Sequence, residues 1–193
     1  MGQSPETSRR RPAMANPLDE ASLRDLALSY AGRYATTAAK LKHYLRRKLR
    51  ERGWAGDDEP PVDALADRFV ELGYIDDAAF AEARTHDLLQ RGYGARRVAQ
   101  ALYHAGVDRE ATEVAEPGEA QRRAAAMAFA RRRRIGPFAV EPADERKREK
   151  QLAALLRAGH GFTHARMVID AQDEGALREW IEEAEDEARY DDD

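Results

Sequence analysis

The chain has 193 residues, 42% of them hydrophobic and 35% charged, and its 32 lysines and arginines against 36 aspartates and glutamates leave a net charge of −4. It contains no cysteine, which excludes a disulfide scaffold, a thiol nucleophile and a cysteine-ligated zinc or iron–sulfur site. Charges interrupt every apolar stretch long before the roughly 20 residues that a bilayer span needs, and Arg9, Arg10 and Arg11 lead into Pro12, Asn16 and Pro17 instead of an apolar run, so the expected location is cytoplasmic, with no membrane partner.

Residues 1–20 mix Gly, Ser, Pro and Arg without a period and read as a disordered tail. Ser22 with Asp25 three residues on suggests a capping box opening a helix through Leu23, Leu26, Ala27 and Tyr30 to about Tyr34. Thr36 and Thr37 both offer an N-cap to a second helix, in which Leu41, Leu45 and Leu49 recur until Gly53 stops it. An acidic, proline-containing break at 57–61 precedes a third helix with Val62, Leu65, Phe69 and Leu72 on one side, ended by Gly73. Asp76 or Asp77 then caps a helix carrying Phe80, Ala83, Leu88 and Leu89 to about Gln90.

Gly92, Tyr93 and Gly94 turn the chain into a helix whose Val98, Ala101, Leu102 and Ala105 form an i, i+3, i+4, i+7 stripe closed by Gly106, and Asp108 caps a short helix after it. Beyond the boundary at Glu116, Pro117 and Gly118, a helix with Ala124, Met127, Ala128 and Ile135 includes Arg131, Arg132, Arg133 and Arg134 and ends at Gly136 and Pro137. Asp144 opens a helix with Leu152, Leu155 and Leu156; the chain turns over 159–162, Thr163 caps, and 167–171 is helical. Leu177, Trp180, Ile181 and Ala184 predict a last helix before an acidic tail. No segment sustains a period of two, so the fold class is all-α.

The spacing also repeats. Leu45, Leu49, Gly53 and Trp54 parallel Val98, Leu102, Gly106 and Val107, and the turn at Gly92 and Tyr93 parallels Gly161 and Phe162. The expected organisation is a tail at 1–20, a first, partial repeat at 21–56, three-helix repeats at 61–116 and 117–172, and a C-terminal helix with its acidic tail at 173–193. Units this small bury little area alone, so neighbours or a partner must cover them.

Charge is segregated along the chain. Residues 33–54 hold 8 basic and 1 acidic residue, 55–90 hold 2 and 10, 121–140 hold 6 and none, and 172–193 hold 2 and 11. Any one block reads equally as a solvated helix face, whereas alternation on this scale suits a protein lying along a charged polymer.

No constellation supports catalysis or a cofactor. His160 and His164 are four apart, but glycines make that stretch a turn, and no HExxH accompanies them. Gly92 and Gly94 lack the third glycine of a dinucleotide fingerprint, since Arg97 stands there, and no P-loop motif occurs. Asp76 and Asp77 suit capping better than acid–base work. The candidate contacts are therefore basic: Arg46, Arg47 and Lys48 around the leucine stripe of the second helix, Arg96 and Arg97, and Arg131, Arg132, Arg133 and Arg134. The last four span more than a turn, at about 100° each, so at least one is expected to snorkel or pair near the core. Tyr44 and Tyr93 are the only nearby rings for base stacking.

Glu71-Leu-Gly-Tyr-Ile-Asp-Asp-Ala-Ala-Phe-Ala81, Arg91-Gly-Tyr-Gly with its helix to Gly106 and Val107, and Arg131-Arg-Arg-Arg-Ile-Gly-Pro-Phe138 together resemble the RecX family of recombinase regulators. Tyr34-Ala-Thr-Thr and Glu149-Lys-Gln-Leu-Ala-Ala-Leu-Leu-Arg-Ala-Gly159 extend the resemblance over roughly 23–171. It implies tandem three-helix repeats in an elongated, curved array that lies in the helical groove of the RecA filament, inhibiting strand exchange and ATP hydrolysis without chemistry or cofactor of its own. The setting so implied is homologous recombination, DNA repair and the SOS response, with RecA as partner, single-stranded DNA as a further candidate partner, and a monomeric state. The alternative is an autonomous nucleic-acid-binding protein acting on recombination indirectly. Two departures stand out from the family pattern: the acidic connection at 57–61, and His160 where a Gly-Phe junction is expected.

Overall fold

Helical periodicity carries through to the tertiary structure: in the computed structural model, which describes residues 16–191, ten α-helices are joined by short turns. The only extended pairing among the described residues is an isolated parallel bridge between Leu18 and Trp54. The chain divides into two units, one ending at Ile75 and the other beginning at Asp76.

The first unit contains α1 (Glu20–Ala31), α2 (Ala38–Arg52) and α3 (Val62–Glu71) around Leu18, Leu23, Ala27, Leu41, Leu45, Val62, Ala66, Phe69 and Ile75. Ser22 does not cap α1. Asp19 does, accepting from the Ser22 backbone N–H at 2.9 Å while the Ser22 hydroxyl accepts from the Asp19 N–H at 2.9 Å, so Ser22 is the third residue of the capping box and the helix begins earlier than expected. Of the two threonines, Thr37 caps α2.

The expected tail of 1–20 is corrected at its end; residues 1–15 lie outside the described residues. Leu18 is fully buried, its N–H donates to the Gly53 carbonyl at 3.0 Å and its carbonyl accepts from Ala55 at 2.8 Å. The Arg52 guanidinium grips the Asn16 carbonyl through two bonds of 2.9 and 2.8 Å. One apolar side chain and a paired backbone hold this short segment across the end of α2. Leu72, read as a core residue, is 49% exposed because α3 has ended one residue before it.

The second unit runs α4 (Asp77–Gln90), α5 (Ala95–Ala105), α6 (Arg109–Val114), α7 (Glu119–Arg133), a 3-10 turn (Gly136–Phe138), α8 (Glu145–Arg157), α9 (Phe162–Asp170) and α10 (Glu174–Asp191). Asp76 caps α4, Asp108 caps α6 and Asp144 caps α8 through their carboxylates, as their positions predict. Thr163 does not cap α9; Gly161 is its N-cap, and Thr163 is exposed in the first turn. Most of the acidic C-terminal segment is helical, since α10 continues to Asp191 with Leu177, Trp180 and Ala184 buried.

Two cores share α7. Ala125 faces Ala81, Leu88, Val98, Leu102 and Val107, while Ala126, Met127, Phe129 and Ala130 face Ile135, Leu155, Val168, Leu177 and Trp180. A helix between two cores needs a wider apolar arc than a surface helix, which is why Ala and Met fill it so densely.

The internal repeat is visible as a register. In α2, α5 and α8 a positive-φ glycine follows the helix, at Gly53 (φ 83°), Gly106 (φ 71°) and Gly159 (φ 96°). Eight residues before each stand Leu45, Val98 and Gln151, four before stand Leu49, Leu102 and Leu155, and immediately after stand Trp54, Val107 and His160. This corrects the pairing of Gly92 and Tyr93 with Gly161 and Phe162. Gly92 is left-handed at φ 73°, whereas Gly161 is extended at φ −70° and starts a helix, so the two glycines answer different backbone demands.

Candidate functional site

The glycines of the α4–α5 turn are spent on packing. A Cβ on Gly94 would sit 2.4 Å from the Gly159 carbonyl, and the Gly94 N–H donates to Ala158 at 2.9 Å. His160, 2% exposed, meets the Gly92 carbonyl through Nε2 at 3.0 Å, and burial holds its imidazole below the usual histidine range against the opposing effect of that bond. This joint locks the α8–α9 turn to the α4–α5 turn. His164 is spent elsewhere, 2.8 Å from Glu119 and tilted against Trp180 at 5.6 Å, with the Arg123 guanidinium over the same indole at 5.0 Å and bonded to Glu119 at 2.9 Å. That network fastens α10 to α7 and α9, and the two histidines do not converge on a common ligand position.

The basic residues fall into three groups with different surroundings. On α2, Arg46 reaches Asp63 at 2.7 Å, Lys48 reaches Glu51 at 2.7 Å, and Arg47 lies 3.6 Å from Glu51 and 5.5 Å above the Tyr44 ring. Lys42 adds bonds to Asp67 and Asp63 at 2.9 and 3.2 Å. The electrostatics record this matching: the hydrogen bond to Asp67 raises the Lys42 ammonium, the bond from Lys42 and then that from Arg46 lower the Asp63 carboxyl, and Lys48 lowers that of Glu51. α3, carrying the acidic block that follows in sequence, neutralises much of α2.

The second group, Arg96 and Arg97, is exposed on the first turn of α5, where Arg97 bonds Gln100 at 2.7 Å. The third meets the expectation that at least one of its arginines pairs or snorkels over the core, through Arg131 and Arg133. Arg131, Arg132, Arg133 and Arg134 are all exposed, because α7 ends at Arg133 and Arg134 turns left-handed at φ 54°, so the four never complete a helical turn. Arg131 pairs with Glu174 at 2.6 Å and covers the Phe138 ring at 5.3 Å. Arg132 reaches over Gly92, and Arg133 lies 5.9 Å above the Phe129 ring.

Beside this group lies a groove of about 510 Å³ between α7 and α8, lined by Arg133, Arg134, Lys147, Lys150 and Arg157 with Phe129, Gln151 and Ala158 beneath. Among the described residues none of these five cations forms an ion pair, and no carboxylate lines the groove. Lys147, Lys150 and Arg157 escaped the sequence reading because they are scattered among Glu145, Glu149 and Leu152. Their intervals of three and seven residues put them on one face of α8, the signal that could have found them. Among the described residues there is no cluster that could hold a metal ion and no helix long and apolar enough to cross a membrane.

Residues 76–115 match the family model described as the second three-helix domain of RecX. A regulatory protein RecX of Myxococcus xanthus is 35% identical over 175 residues, 86% of this chain and 92% of that protein. One from Halorhodospira halophila is 35% identical over 154 residues, 79% of this chain and 89% of the relative. The crystal structure of RecX from Lactobacillus salivarius shares the fold, with a TM-score of 0.63 at 17% identity over 77% of this chain and 93% of that one.

Proposed function

Because the chain belongs to the RecX family of regulatory proteins, we propose that it regulates the RecA recombinase by binding the RecA–single-stranded DNA filament in its helical groove and inhibiting strand exchange and ATP turnover. The observation that carries this reading is the union of tandem helical repeats with the unpaired cation surface of the second unit. A filament groove is a repeating, charged surface, and successive small units can engage it through contacts that are individually weak and jointly strong. Arg96, Arg97, Arg132, Arg133 and Arg134 are the leading contacts to RecA or DNA; Arg46, Arg47, Lys48 and Arg131 join only by giving up partners within the chain. No reaction is required. A protein that binds one filament state more tightly than another shifts their balance by the difference in affinity.

The test is RecA's DNA-dependent ATP turnover and filament lifetime on single-stranded DNA, with and without this protein. Inhibition that saturates with added protein is the expected result. Turnover unchanged in molar excess overturns the reading.

A further inference from the structure

The third repeat breaks the pattern of the other two at two buried positions. Where they place Leu45 and Val98 it has Gln151, and where they place Trp54 and Val107 it has His160. His160 is satisfied by Gly92. Gln151 is 8% exposed, lines the α7–α8 groove, and its side-chain carbonyl oxygen has no hydrogen-bond partner. A buried acceptor without a donor costs about 1–3 kcal/mol, and here it lies among five cations that no carboxylate among the described residues answers.

We propose that this groove is a direct binding surface for single-stranded DNA, with Arg133, Arg134, Lys147, Lys150 and Arg157 holding the phosphodiester backbone and the Gln151 carbonyl accepting an N–H from a base. The inference rests on the filament reading, which brings single-stranded DNA to the protein, and adds that the chain touches the DNA itself. Lys147, Lys150 and Arg157 lie along roughly 15 Å of α8 at 1.5 Å per residue, the reach of a few nucleotides. Of the hydrophobic residues beneath them, Phe129 at 9%, Ile135 at 4% and Ala158 at 6% exposure are buried, and Tyr93 and Ala154 are half-buried. An acidic protein segment would find little apolar surface there, and protein interfaces deplete lysine at their centres; walls made of cations fit phosphates. The rings in the lining, Phe129 and Tyr93, are buried and half-buried, so stacking is limited and binding follows charge with little dependence on sequence.

The experiment uses the full chain and a labelled oligodeoxythymidylate, with anisotropy read across a salt series. The triple variant K147E/K150E/R157E changes only exposed side chains and is expected to lose about tenfold or more in affinity at 0.1 M salt, and the neutral K147A/K150A/R157A to flatten the salt slope by roughly 2, at about 0.7 per phosphate contact. Q151L should weaken binding about three- to tenfold and leave the slope unchanged. Unaltered affinity and slope in the triple variants, with circular dichroism confirming helicity, overturn the proposal. Competition by polyglutamate as effective as by unlabelled oligonucleotide of equal charge overturns it in favour of an acidic protein partner, and tighter binding of duplex overturns the single-strand assignment. RecA ATP turnover measured alongside separates the two claims: variants that lose DNA affinity support this inference whether or not inhibition survives, whereas a wild-type chain that binds DNA and leaves RecA untouched defeats only the filament reading.

Discussion

The basic helix α2 in the first unit and the α7–α8 groove in the second are comparable in charge and opposite in availability. Around α2, Asp63, Asp67 and Glu51 sit within 2.7 to 3.6 Å of Lys42, Arg46, Arg47 and Lys48. In the groove, five cations face solvent with no such answer among the described residues. The lesson is that a basic run in sequence measures charge density, while the capacity to bind an outside anion depends on what the fold has already placed against it. Exposed pairs like those of α2 contribute only about 0–1 kcal/mol each, so they are weak as supports of the fold, yet each must open before an external phosphate can take its place.

The two units can be followed separately, because Trp54 belongs to the first and Trp180 to the second. The largest expected effect is G94A: a Cβ 2.4 Å from the Gly159 carbonyl meets backbone that cannot yield, so the Trp180 transition in denaturant should lose more than about 3 kcal/mol, beyond ordinary overpacking, with Trp54 unaffected. An unchanged Trp180 midpoint would show the joint to be loose. L18A should act in the opposite sense, costing the first unit about 2–5 kcal/mol and sparing Trp180, since Leu18 is fully buried in that core; deletion of residues 1–19 should do at least as much.

A smaller effect separates the units by pH. The folded-state pKa of His160 lies below its ordinary value of 6.5, so the unfolded chain binds the proton first as pH falls, and the second unit should lose stability from about pH 6.5 downward until the depressed folded value is passed. The lowered carboxyls of Asp63 and Glu51 withdraw their support only as pH falls below the ordinary carboxylate values of 3.8 and 4.5. Mild acid should therefore move Trp180 before Trp54. H160V should abolish that difference, and its persistence would assign the sensitivity to another group. The smallest effect is expected of D63N, which removes an exposed partner of Lys42 and Arg46 and should move the Trp54 midpoint only slightly.

Much of this was legible in the amino-acid order. Local rules fixed the helix boundaries at Asp76, Asp108 and Asp144, the left-handed stops at Gly53 and Gly106, and the leucine stripe of α2, because each depends on residues within a turn of one another. The misreadings differ in cause: at Ser22 and Arg134 neighbours within one turn compete, whereas at Leu18 the partners are distant in sequence. Ser22 was a plausible cap until Asp19 outcompeted it, Leu18 was indistinguishable from tail until the distant Gly53 and Ala55 supplied its hydrogen bonds, and Arg134 would have continued a helix had Gly136 and Ile135 not turned the chain.

The candidate site divides along the same line. The sequence by itself determined an all-α chain of repeated helical units, its family, and which helices are rich in arginine, since periodicity, capping and composition are properties of neighbours. Only the tertiary structure decided which of those charges stay unpaired, because neutralising Arg46 takes Asp63, 17 residues away, and assembling the groove takes Arg133 from α7 with Arg157 from α8. Charge pairing and burial are set by distance in space, which helix packing alone establishes.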